Sequence, residues 1–192
     1  MKIQIFCIAI LLIAAIGVSA QTTNETVNKI QTAYVEAAEK AKLVESDDDQ
    51  GQFGPLFLNE LTVNSRNHQW RAVGIHQIKH KFFYKAVEND ERRLYPDQLV
   101  LVKTERKESS RTYLEEYFFN ERGELAYYFR LAENDDQTPE RRLVYFSALK
   151  TLRVIDDNKP RDKFSAADQK NIAEIRRTAS RIKDLFVKAI SL

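Results

Sequence analysis

Between Phe53 and Phe146 the residue spacing is that of a sheet, and no turn there is long enough to hold a crossover. Sixteen of the nineteen aromatic residues beyond position 20 lie in this stretch, where a pleated surface accommodates them. Apolar and polar residues alternate in runs near 56–63, 69–87, 98–107, 111–119, 124–132, 140–147 and 149–155. Turn-forming clusters separate the runs: Asn64 to Asn67, Asn89-Asp90, Ser109-Ser110, Asn120-Glu121-Arg122-Gly123 and Asn134-Asp135-Asp136. Parallel neighbours would need connections of a dozen residues or more. The sequence therefore predicts an antiparallel meander of about six or seven strands.

Helical spacing brackets this region. Val27, Ile30, Tyr34, Ala37, Ala41 and Val44 recur every three or four residues over 24–45. Ile172, Ile175, Ala179, Ile182, Phe186 and Ala189 do the same over 166–190, with Ser165 placed as an N-cap and Asp168 three residues on. An antiparallel sheet needs only one covered face, so the expectation is an α+β domain whose two amphipathic helices, N-terminal and C-terminal, lie on the same side.

The first twenty residues read differently. Met1-Lys2 gives a short cationic start, Ile3 to Val18 is uncharged and apolar, and Val18-Ser19-Ala20 offers the small residues a signal peptidase reads. Residues 1–20 are expected to be a secretory signal peptide, and residues 21–192 a single α+β domain. The destination is then periplasmic or extracellular. Removing 1–20 takes away Cys7 and Met1, leaving a chain without cysteine or methionine. That excludes thiol catalysis and thiolate metal sites, so the exported domain must rest on its core alone. No later segment reaches spanning length, so no membrane span is expected after cleavage.

With 30 Lys+Arg against 28 Asp+Glu, the charge does not favour a polyanion partner. Lys79, Lys81, Lys85, Arg92 and Arg93 are interrupted by Glu88, Asp90 and Glu91, which suits a solvated strand edge rather than a nucleic-acid stripe. His76 and His80 have a spacing that would join one metal on a helix, but on a strand it separates them by roughly 13 Å. No metal or cofactor is expected. Phosphate-loop, dinucleotide and Gly-x-Ser-x-Gly patterns are absent from the sequence.

Gly54-Pro55-Leu56-Phe57, Trp70-Arg71-Ala72-Val73-Gly74, and Tyr117-Phe118-Phe119-Asn120 leading through Gly123 to Leu125 and Tyr127 together resemble a class of small exported bacterial proteins. The resemblance implies export and a helix–antiparallel sheet–helix fold, with no assigned reaction and no site. The leading expectation is a non-catalytic module that binds a protein or small-molecule ligand through its aromatic-rich sheet, with Trp70, Tyr113, Tyr117 and Tyr127 as candidate contacts. The alternative is a small hydrolase or isomerase using His76 as base with Glu116 on a neighbouring strand. A third reading is a structural component of an exported assembly. A pocket with convergent polar groups would separate the second reading from the first.

Overall fold

The structure, a computed structural model, describes the backbone of residues 2–46, 56–66, 68–70, 74–85, 98–134 and 137–190, and side chains from position 22 onward within these, except 69–70, 74–75, 134 and 137. The order of elements is α1 (Lys2–Glu45), β1 (Phe57–Val63), β2 (Gln69–Trp70), β3 (Gly74–Lys85), β4 (Gln98–Glu108), β5 (Arg111–Phe119), β6 (Leu125–Asn134), β7 (Gln137–Ser147), β8 (Lys150–Asp156), β9 (Lys159–Arg161) and α2 (Ala166–Ile190). Every strand pairing is antiparallel. The main path runs β1-β3-β4-β5-β6-β7-β8-β9, with the short β2 paired to β3 off that path. This is the expected α+β meander, with eight strands in line rather than six or seven.

The expectation that both helices share one face is overturned. Each covers its own. Phe82, Val102, Tyr117, Tyr128, Val144 and Val154 pack with α2, while Phe83, Leu101, Phe118, Tyr127, Leu143 and Tyr145 pack with α1. The reason is visible in the strands. Phe82-Phe83, Leu101-Val102, Tyr117-Phe118 and Tyr127-Tyr128 are consecutive apolar pairs, and consecutive residues point to opposite faces. A strand apolar on both parities needs cover on both sides.

Both helices cross the strands in the same sense. On one face Gln31 accepts a hydrogen bond from the Tyr145 hydroxyl at 2.5 Å on β7, Tyr34 lies 4.1 Å from the Tyr127 ring on β6, and Glu45 takes Lys103 and Lys81 at 2.7 and 2.8 Å on β4 and β3. On the other face Asn171 accepts from Arg142 on β7 at 2.8 Å, and Phe186 meets Phe82 and Tyr84 of β3. The α2 stripe of Ile172, Ile175, Ala179, Ile182 and Phe186 is buried as expected, whereas Ala189 is exposed. Each fully buried large side chain of that stripe contributes about 1.5–3 kcal/mol.

Local chemistry fixes the ends. Asp168 N–H donates to the Ser165 hydroxyl oxygen at 3.1 Å, and Ser165 N–H donates back to the Asp168 carboxylate at 3.0 Å, a reciprocal capping arrangement. Asp157 and Asn158 have φ of 45° and 68°, the pair of left-handed residues that a two-residue hairpin needs between β8 and β9. The expected run at 69–87 is two strands, β2 and β3, with residues 71–73 outside the described set. Asn89-Asp90 and Asp135-Asp136 also lie outside it. Among the described residues no helix is long and apolar enough to cross a membrane.

Candidate functional site

Strands β3 to β6 and α2 line a half-open cavity of about 460 Å³, within the range that holds small ligands. Its floor comes from alternate positions of each strand: Ile78 and His80 on β3, Thr104 and Arg106 on β4, Glu115 and Tyr117 on β5, Tyr128 and Arg130 on β6. The strand register explains why they converge. His80 stands opposite Thr104, Thr104 opposite Glu115, and Glu115 opposite Arg130, so one polar row crosses the sheet beneath α2. The roof is Asn171, Ile175, Thr178, Arg181 and Ile182 with their neighbours on α2.

The row is held by hydrogen bonds. His80 Nδ1 and the Thr104 hydroxyl are 2.9 Å apart, and Thr104 is only 5% exposed. Burial pushes the His80 imidazole below its usual pKa, because the charged ring loses more hydration than the neutral one. The Tyr128 hydroxyl donates to Glu115 Oε1 at 2.7 Å. Burial, and then the charge of Glu115, raise the pKa values of Tyr117 and Tyr128, so both phenols stay neutral. Arg106 lies over the Tyr113 ring at 4.3 Å and pairs with Glu108 at 2.5 Å.

The candidates read from the sequence divide. Tyr117 lines the cavity, although it is 1% exposed overall. Tyr113 serves as the platform under Arg106. Tyr127 belongs to the α1-side core at 2% exposure. Trp70 is described only through its backbone pairing with Gly74, and its side chain lies outside the described set. His76 and Glu116 are not brought together. His76 shares the α2-side parity of β3 and faces Glu108 at 3.8 Å. Glu116 is on the α1 side, where it accepts a very short hydrogen bond from Tyr34. The adjacent charge of Glu116 adds to burial in raising the Tyr34 phenol.

Of the lining residues, the sequence singles out His80 only as a metal partner of His76, a role that strand spacing sets aside, and does not mark Thr104, Arg106, Glu115, Tyr128 and Arg130 as site residues. Their signal was polarity at core parity: Glu115 precedes Tyr117 by two, and Arg130 follows Tyr128 by two. Their convergence depends on strand register, which no single segment encodes. Among the described residues no group of three His, Cys, Asp or Glu side chains is placed to hold a metal ion.

A larger hollow, about 600 Å³, runs beside α1. Its lining combines apolar Ile30, Ala37, Val100, Phe118 and Ala126 with charged side chains of α1 and of the turn after β5. The polar row that crosses the sheet beneath α2 makes the smaller cavity the candidate site. No protein-family model, curated protein or solved structure matches this chain.

Proposed function

We propose that this is an exported binding module whose small-molecule ligand occupies the cavity between α2 and the sheet. The observation that carries the reading is the convergence of His80, Thr104, Glu115, Tyr117, Tyr128 and Arg130 on one half-open cavity. A purely structural interface would be expected to fill that volume with apolar side chains. The aromatic side chains act here as core and cavity wall. With α1 and α2 on opposite faces, Tyr117 and Tyr127 are too buried to form an open stacking surface.

The test is a thermal-shift panel of amino acids, dicarboxylates, sugar phosphates, neutral sugars and nucleosides. A true ligand at a hundred times its dissociation constant adds about 2.7 kcal/mol of stability. Thr178→Trp, which places an indole in the cavity, should abolish that shift. A shift that survives Thr178→Trp and Ile78→Trp, or a panel with no shift at all, would count against the reading.

Convergent polar groups are the feature that favours the hydrolase or isomerase alternative over binding alone, with His80 rather than His76 in the role of base. A neutral imidazole beside a buried hydroxyl is the observation favouring it. Turnover of a panel compound that His80→Asn eliminates without changing the melting curve would establish that alternative. Export rests on Lys2, the apolar run from Ile3 and the Val18-Ser19-Ala20 boundary. Mass measurement of the secreted chain should find Gln21 at or near the N-terminus, and an intact Met1 form there would refute it.

A further inference from the structure

We propose that the cavity receives an oxyanion, a carboxylate or phosphate of a small molecule, on the Arg130 guanidinium; this rests on the ligand-binding reading above. Glu115 and Arg130 stand directly opposite each other on neighbouring strands. Opposite charges at that spacing ordinarily pair. Here Glu115 accepts the Tyr128 hydroxyl at 2.7 Å, and the ion pair of Arg130 is instead with Glu140 at 3.7 Å, a side chain 69% exposed. Arg130 Nε is buried with no hydrogen-bond partner among the described residues. A guanidinium offers five donors in a planar fork that matches an oxyanion, and leaving one buried donor unmade is unfavourable.

The surroundings reinforce this. Arg106, fixed by Glu108 and by the Tyr113 ring, supplies a second cation in the wall, and Arg181 supplies a third from α2. Two carboxylates share the lining with these three guanidinium groups: Glu174 pairs with Arg177 at 3.1 Å, and Glu115 accepts from the neutral Tyr128 phenol within the cavity. Tyr128 is therefore a positioning residue. Its hydroxyl holds Glu115, leaving Arg130, among the described residues, with only the long contact to the exposed Glu140.

The experiment follows the Arg130 Nε–H resonance of the full chain at constant ionic strength during titration with succinate, inorganic phosphate and neutral succinamide. A saturable shift with succinate or phosphate is expected, and the anion that produces it distinguishes carboxylate from phosphate. In the variants, where that resonance is lost or can move, affinity is read by titration calorimetry, and Arg130→Gln should weaken binding about tenfold or more. Arg130→Lys, which keeps the charge and loses the fork, should recover it only in part. Tyr128→Phe should weaken it as well, because Glu115 is then free to close on Arg130, and melting curves identify any variant that fails to fold. Succinamide binding as tightly as succinate, unaffected by Arg130→Gln, would overturn the oxyanion inference while leaving the ligand cavity standing. No response of Arg130 to either anion would overturn the inference too, whereas the wider panel decides the cavity itself.

Discussion

Asp168 illustrates how one side chain joins two elements. It accepts from the Ser165 backbone and hydroxyl at 3.0 and 2.7 Å and from Arg161 at 2.8 Å, and Arg161 also pairs with Asp156. The Ser165 hydroxyl, then its N–H, then Arg161 hold the carboxyl down from its ordinary 3.8 to about 2. A depressed carboxyl stabilises the fold above its unfolded pKa, and that stability is lost as pH falls through the folded value. Wild-type stability should therefore fall between about pH 4 and 2, and Asp168→Asn should flatten that part of the profile in urea titrations. Ser165→Ala should cost about 1 kcal/mol near neutral pH. An unchanged acid limb in Asp168→Asn would show that this carboxyl does not link α2 to the sheet. Ser165 and Asp168 were legible as a cap from three-residue spacing alone. Arg161 was not, because its role depends on β9, a three-residue strand containing Pro160.

At the scale of elements, the two helices solve the same problem with different side chains. α2 brings Ile172, Ile175, Ile182 and Phe186, whereas α1 presents Ala37 at 5% and Ala41 at 0% exposure, small residues that allow close approach to the sheet. α1 adds polar ties at Gln31, Tyr34 and Glu45. Burial alone would raise the Glu45 carboxyl, but hydrogen bonds from Lys103 and Lys81 outweigh it and bring the pKa below the usual value. Ala41→Leu should force α1 off the sheet and cost about 1–3 kcal/mol, read as a lower denaturation midpoint at unchanged slope. A neutral Ala41→Leu would mean that α1 is not packed as described. Both helices were readable from period, since Val27 to Val44 and Ile172 to Phe186 repeat every three or four residues, but α1 begins at Lys2, through the segment read as a signal peptide, rather than at 24. Their placement on opposite faces was also written in Phe82-Phe83 and Tyr127-Tyr128, although a simple alternation rule conceals it.

For the whole molecule, the function proposed here depends on a relation no local pattern contains. His80, Thr104, Glu115 and Arg130 come from four strands and become neighbours only through register. The pairing of His76 with Glu116 was reasonable from proximity of strands but ignores parity, since the two residues point through opposite faces. The meander itself was legible because short turns permit little else. The two cavities flank the sheet on opposite sides, so a bound molecule reports directly on which face the protein uses. The decisive measurement is the set of nuclear Overhauser contacts from the methylene protons of succinate to the protein at saturation. The account predicts contacts to Tyr117, Tyr128 and Ile175 beneath α2. Contacts instead to Ile30, Val100 and Phe118 beside α1, or none to either wall, would contradict it.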